Sequence, residues 1–493
     1  MLYQSTRDRR VHIPSASAIL RGLAPDGGLF VPDEFPQIPL SAIAEMAKLP
    51  YHRRAEAVLA PLLDDYSAEE LAAATGAAYA PARFGENPAP LKELNGLAVL
   101  ELWHGPTHAF KDMALQILPR LLALAMKKTG TDKTIQILVA TSGDTGKAAL
   151  EGFKDVEGTA VLVFFPKEGV SPAQKLQMLT QEGGNLRVCA VEGNFDDAQT
   201  GVKRIFADEA LARELSAKGV ELSSANSINF GRLAPQIAYY FSAYADLLAQ
   251  GRLSLGQRMN VCVPTGNFGN ILAAYYARRM GLPVGRMVCA SNRNNILFDF
   301  IQTGLYDTNR EFYKTSSPSM DILVSSNLER LLYELSGRDD ALIRSLMAEL
   351  GQKGAYALPE GMREKLREDF SAGWVSDAQA AAAIKNCFDE SGYLMDPHTA
   401  VGFVAAREYQ RASGDQSPMV LLSTASPYKF SRDVLVALKD AEFARNLDEF
   451  ACADALQEIS GLQMPQSLAE LKTKPILHTA LTDSAGMRAV VSP

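Results

Sequence analysis

The chain has 493 residues, 47% hydrophobic and 22% charged, with a formal charge of −8. That length exceeds one hydrophobic core and implies two or more domains or subdomains; the composition is that of an ordinary globular protein, and the net negative charge leaves no nucleic-acid footprint. No apolar run is long enough to span a bilayer, and the five cysteines (Cys189, Cys262, Cys289, Cys387, Cys452) are widely spaced and odd in number, which reads as buried, reduced thiols of a cytoplasmic protein rather than disulfides or metal ligands.

The opening MLYQSTRDRRVHIPS lacks the apolar region of a signal peptide, and Asp8 argues against a transit peptide. Within it Ser5-Thr6-Arg7 offers one cation, either an anion ligand or a surface arginine. Pro25-Asp26-Gly27-Gly28 signals a turn before a short apolar strand. Amphipathic helices are expected over 41–48, 51–62 and 67–79, the last with Ser67 as N-cap and Glu70 three residues on.

A strand at 98–102 leads into residues 101–112, ELWHGPTHAFKD. Lys111 lies there among Phe110, Ala109, Pro106 and Trp103. Desolvation in such surroundings lowers a lysine's pKa and lets it hold an aldehyde as a Schiff base. The plain alternative is a lysine with its stem on the core and its head in water. A helix is expected over 109–127, kinked or broken at Pro119.

The buried strand 134–140 is followed by Thr141-Ser142-Gly143-Asp144-Thr145-Gly146 and a helix from near Lys147. Small polar residues at a helix N-terminus make an anion site, or merely a βα turn. Strands follow at 160–165 and 186–191, with a helix starting at Ser171-Pro172 between them. This alternation argues for βαβ units and a parallel sheet. No GxGxxG follows a first strand, so a nicotinamide dehydrogenase is disfavoured.

Asn226-Ser227-Ile228-Asn229-Phe230-Gly231-Arg232 opens a helix to about residue 248 and reads either as donors around an anion or as an Asx-turn with a solvated arginine. Strand 259–263 leads to Gly266-Asn267-Phe268-Gly269-Asn270 and a helix over about 271–280. Glycines before a helix let backbone N–H groups close on a phosphate, or only make a tight turn. A further strand is expected at 287–290. Residues 321–389 read as helix-rich, without a chemical motif. His398, at a helix start, reads as structural or as an acid or base, and Thr424 follows a strand at 420–422.

The words HGPTHAFKD, ATSGDTG, NSINFGR, PTGNFGN and STASPYKF, in this order, resemble those of the threonine synthases. These are pyridoxal-phosphate enzymes of the tryptophan synthase β fold, and the likeness is to their longer fungal and bacterial type. It runs from Tyr3-Gln4-Ser5-Thr6-Arg7 to about Lys429. It implies an α/β protein of pyridoxal-phosphate fold type II, with two open, twisted, mostly parallel α/β domains and the cofactor in the cleft between them. The expected units are an N-terminal domain (1–95), an α/β domain with the lysine and substrate loop (96–255), a second α/β domain with the phosphate loop (256–325 and 390–445), a helical insertion (326–389) and a helical tail (446–493).

By the same resemblance Lys111 is the Schiff-base lysine and proton shuttle. Gly266, Asn267, Phe268, Gly269 and Asn270 hold the cofactor phosphate through N–H groups, since the loop has no Lys or Arg. Thr424 meets the pyridine nitrogen. Ser142, Gly143, Asp144 and Thr145 hold the substrate, carboxylate first. Arg232, with Asn226 and Ser227, holds the substrate phosphate, and Lys147 is a second cationic candidate. No metal is implied. The implied reaction turns O-phospho-L-homoserine and water into L-threonine and phosphate, with the departing phosphate as base for the water. The alternative within the fold is a phospholyase releasing phosphate, ammonia and 2-oxobutyrate. A binding or regulatory protein on a retired scaffold is the alternative of another class, and the intact motifs argue against it. The resemblance leaves monomer and homodimer both open. Where the family usually has STAHPAKF, this chain has Ser426 and Tyr428, which puts any role for residue 426 in doubt.

Overall fold

The run TIQILVA forms the strand Thr134–Ala140, buried from Ile135 onward. Such continuous apolar strands are stable only in a sheet covered on both faces, which is the setting of parallel β structure. A computed structural model of the chain describes residues 1–168 and 170–491. In it this strand lies between Thr159–Pro166 and Val220–Ser224, and the sheet continues through Leu186–Glu192 to Ala480–Asp483. All pairings in this five-stranded sheet are parallel.

A second, six-stranded sheet runs in the order Phe370–Trp374, Val284–Ser291, Met259–Pro264, Met419–Ser423, Leu97–Glu101, Leu91–Leu94. Only the terminal Leu91–Leu94 is antiparallel to its neighbour. Two open, mostly parallel sheets with helices between their strands are the expected fold class. The long helix Phe230–Ala249 is buried along most of its length and packs against Gly269–Arg279 and Tyr51–Leu59. It thus ties the two sheets and the N-terminal segment into one core.

The structure corrects several expected boundaries. Leu97–Glu101 pairs with Met419–Ser423, so the strand leading to Lys111 belongs to the sheet of the phosphate loop. The segment 326–389 is not wholly a helical insertion, since Phe370–Trp374 extends that same sheet beside Val284–Ser291. The segment 446–493 is not wholly helical, since Ala480–Asp483 adds an edge strand beside Leu186–Glu192; its last two residues lie outside the described residues. The helix expected over 109–127 is two helices, Asp112–Leu115 and Leu118–Thr129, with Pro119 in the first turn of the second, where its missing N–H costs nothing.

The N-terminal segment is fastened by polar contacts. Arg7 donates twice to Glu329, at 2.9 and 2.8 Å, and Thr6 Oγ1 donates to the same carboxylate at 2.6 Å. Arg7 is therefore committed to an internal ion pair. The helix Ala68–Ala78 opens on the expected capping box, with Ser67 accepting from Glu70 N–H and Glu70 accepting from Ser67 N–H. Ser67→Ala should cost about 1 kcal/mol, read as a lower urea midpoint at unchanged slope; an unchanged midpoint would show that the box does not hold this end.

Candidate active site

Parallel strands present their carboxyl ends to ligands, and here those of both sheets open on one cleft of about 1180 Å³. Thr141–Thr145 and Ser224–Ser227 come from the five-stranded sheet, Pro264–Asn270 and Thr424 from the six-stranded one. Lys111 lies in the wall between them.

The lysine loop is held on both sides. Phe110 N–H donates to Thr424 O at 2.8 Å, and Ser426 N–H donates to His108 O at 3.0 Å. Asp112 accepts from Thr107 N–H at 2.8 Å and from Thr107 Oγ1 at 2.7 Å. Burial pushes the Asp112 carboxyl up to about 6. Lys111 itself caps the short helix Asp112–Leu115, and its side chain is 12% exposed. Burial lowers its ammonium below the ordinary lysine value; Asp144 opposes this, while Arg232 and Lys429 reinforce it.

The helix after the SGDTG turn begins at Asp144, earlier than expected, with Gly143 at φ 142 as its N-cap. A Cβ at Gly143 would lie 2.6 Å from the Gln174 side chain. Asp144 is fully enclosed. One carboxylate oxygen accepts from Lys429 Nζ at 2.6 Å and from Gln174 Nε2 at 2.8 Å; the other lies 3.5 Å from Lys111 Nζ. Burial would raise this carboxyl, but Lys429 and Lys111 hold it well below the usual carboxylate range. Lys147 points elsewhere: it pairs with Glu151 at 3.0 Å and bonds Gln181, and it is not in the cleft wall.

Arg232 is 3% exposed. Its Nη1 donates to Ala225 O at 3.0 Å, and its Nε has no partner among the described residues. Burial lowers it to about 10. A buried guanidinium with an open donor is costly to leave unpaired, and its chemistry suits an anion. Asn226 and Ser227 share the wall with it. Ser227 Oγ accepts from Asn327 Nδ2 at 2.8 Å.

The loop 266–270 fits a phosphate. Gly266 has no room for a side chain, since a Cβ there would lie 2.5 Å from Ser319 O. Its carbonyl accepts from Ser325 Oγ at 2.8 Å, and that of Asn267 accepts from Asn327 N–H at 3.1 Å. Phe268 sits at φ 63 before the helix Gly269–Arg279, whose first N–H groups lack intrahelical partners. Asn270 Oδ1 accepts from Tyr239 and Tyr240, at 2.5 and 2.7 Å, leaving its buried Nδ2 without a partner among the described residues. This cradle, with Lys111 and Thr424 in the same cleft, fits pyridoxal 5′-phosphate.

His398, read as structural or as an acid or base, and Ser426, whose role was in doubt, are both engaged in internal hydrogen bonds. His398 receives Ser319 N–H on Nε2 at 3.1 Å, and its Nδ1 lies 2.7 Å from Asp396, so both ring nitrogens are used. Ser426 caps the turn before Tyr428. Sequence reasoning missed Lys429, fully buried beside Asp144, and Asn327, which joins the loops of Ser227 and Asn267. Lys429 stood in a quoted motif; the polar Ser325-Ser326-Asn327 before an apolar helix was the only cue to the other. Among the described residues there is no group of three His, Cys, Asp or Glu able to hold a metal, and all five cysteines are free and buried.

Family models match nearly the whole chain: "Threonine synthase N terminus" over 2–79, "Pyridoxal-phosphate dependent enzyme" over 82–425 and "Threonine synthase, C-terminal" over 399–491. Threonine synthase of Pseudomonas aeruginosa is 42% identical over 439 residues, 88% of this chain and 90% of that protein. Threonine synthase-like 1 of Homo sapiens is 41% identical over 479 residues, and the chain spans 62% of that longer protein. The crystal structure of pyridoxal-phosphate-bound threonine synthase from Brucella melitensis superposes with a TM-score of 0.87 at 37% identity, covering 100% of this chain and 98% of that one. The chain therefore belongs to the threonine synthase family of pyridoxal-phosphate-dependent enzymes.

Proposed function

We propose that the chain converts O-phospho-L-homoserine and water to L-threonine and phosphate. The observation that carries this reading is Arg232, a buried guanidinium whose Nε lacks a partner among the described residues. It gives the cleft an anion site in addition to the cradle at 266–270. A cofactor and a substrate that each bear a phosphate need two such sites.

Pyridoxal 5′-phosphate, when bound, supplies an aldehyde for the substrate amine and a ring that spreads the electron pair left at Cα. Gly266, Asn267, Phe268, Gly269 and Asn270 hold its phosphate, Lys111 its aldehyde carbon, and Thr424 its ring nitrogen. Ser142, Gly143 and Thr145 receive the substrate carboxylate. Asp144 serves that loop differently from the expectation, because its carboxylate is committed to Lys429, Gln174 and Lys111.

Lys111, released as a free amine, takes the Cα proton and then moves protons at Cβ and Cγ. The Cγ–O bond breaks as Arg232, Asn226 and Ser227 receive the charge that develops on the phosphate. Water then adds at Cβ. The departing phosphate, still beside Arg232, is the base for that water. His108 in the lysine loop and His398 in the cleft wall are poor candidates: burial lowers His108 to about 3, and both nitrogens of His398 are bonded. The enzyme is read as cytoplasmic and as a monomer or homodimer. The free, buried thiols agree with a reducing compartment, and no described helix is long and apolar enough to cross a membrane.

A second reading, a phospholyase giving 2-oxobutyrate, ammonia and phosphate, stays open through the likeness to Threonine synthase-like 1 proteins. Equal amounts of phosphate and threonine from O-phosphohomoserine are expected; phosphate with 2-oxobutyrate and ammonia would overturn the synthase in favour of the phospholyase. Arg232→Met should lower kcat/KM at least about 100-fold, the cost of a lost charge-assisted contact to the departing phosphate. Lys147→Met should stay within about threefold of wild type in kcat/KM, since its ammonium is engaged by Glu151 and Gln181 away from the cleft wall. The reverse order of effects would move the phosphate site to Lys147.

A further inference from the structure

Two lysines, Lys429 fully buried and Lys111 nearly so, share one carboxylate in this cleft. Lys429 Nζ lies 2.6 Å from Asp144 Oδ1, and Lys111 Nζ lies 3.5 Å from Asp144 Oδ2. Gln174 Nε2 adds a second donor on Oδ1, and Ser319 Oγ lies 3.5 Å from Oδ2. Lys429 is fully buried and also donates to Thr107 O at 3.0 Å, in the loop that carries Lys111.

A cofactor lysine is reactive only as the neutral amine, and a carboxylate alone beside it would hold it as the ammonium. The charged groups bearing on Lys111 are Asp144, Arg232 and Lys429. Asp112 is not among the groups bearing on Lys111, and Thr107 holds both its oxygens. With Lys111 protonated, the three cations Lys111, Arg232 and Lys429 face the single charge of Asp144. Loss of the Lys111 proton leaves a short Lys429–Asp144 pair and relieves the cationic excess.

We infer that Lys429 is a positioning residue: it occupies the Asp144 carboxylate and anchors the Thr107 carbonyl, so that Lys111 stands in the cleft as a neutral amine. This rests on Lys111 being the cofactor lysine. A volume-filling lysine would do none of this, because a methionine of similar length would replace it without effect on Lys111.

The test follows pyridoxal-phosphate capture by the full-length, cofactor-free chain as a function of pH. Capture forms one C=N bond and releases the aldehyde oxygen as water; borohydride reduction and peptide mapping locate the bond. Lys429→Met should move the rate profile to higher pH and slow capture at neutral pH about tenfold. Lys429→Arg should stay near wild type, and Asp144→Asn combined with Lys429→Met should return most of the rate. Asp144→Asn alone should move the profile to lower pH. A folded Lys429→Met protein with the wild-type profile would overturn the inference. Should that variant not fold, an unmoved or upward-shifted profile for Asp144→Asn would overturn it instead. Lys111→Ala separates the two claims: capture in the cleft that survives it refutes the lysine assignment itself, whatever Lys429 does.

Discussion

The buried carboxylate of Asp144, between Lys429 and Lys111, is the contact on which the cleft depends. It draws the start of the helix Asp144–Phe153 against the turn after Met419–Ser423, and so joins the two sheets at the point where chemistry must occur. Burying the charges of Lys429 and Asp144 is costly unless each is paired or hydrogen-bonded. Here Lys429 has Asp144 and Thr107 O, and Asp144 has Gln174 as well. Lys111 has the longest of these contacts, which suits a group that must give up its proton and its position.

The second organising feature is an excess of open donors. Arg232 Nε and Asn270 Nδ2 are buried without partners among the described residues. Their surroundings orient them firmly: Ala225 O holds Arg232, while Tyr239 and Tyr240 hold Asn270. Leaving such groups unpaired lowers stability, a cost that bound anions would recover. Asn327 links the two anion loops through Ser227 Oγ and the Asn267 carbonyl. Arg330, fully buried, bonds Asn327 Oδ1 at 2.5 Å and the carbonyls of Ser227 at 3.1 Å and Ile228 at 2.6 Å, which makes a rigid floor beneath both loops.

Much of this was legible in the sequence because its signals are local. Continuous apolar strands, Pro at a first helical turn, the Ser67–Glu70 box and the Gly-rich loops depend on neighbours a few residues away. Phe370–Trp374 and Ala480–Asp483 carry no such signal. The first is FSAGW in a charged stretch, and the second is an exposed edge whose side chains bury little. The ion pairs of Lys429 with Asp144 and of Arg7 with Glu329 bring together residues hundreds of positions apart, and no spacing rule foretells them. Lys147 misled because a lysine after an anion-binding turn is a natural ligand; on the helix it faces Glu151, one turn on. Asp144 misled in role, since its type said polar contact but not which partner.

The central claim is that one cleft holds two phosphates, the cofactor's at 266–270 and the substrate's at Arg232, on either side of Lys111. The most direct test is a crystal structure of the chain with pyridoxal 5′-phosphate and a phosphonate analogue of O-phosphohomoserine. The cofactor phosphate is expected against the N–H groups of Gly266 to Asn270, with its reactive carbon next to Lys111 Nζ, and the phosphonate bonded to Arg232 Nε. A phosphonate bound away from Arg232, or a cofactor whose reactive carbon lies out of reach of Lys111, would contradict it.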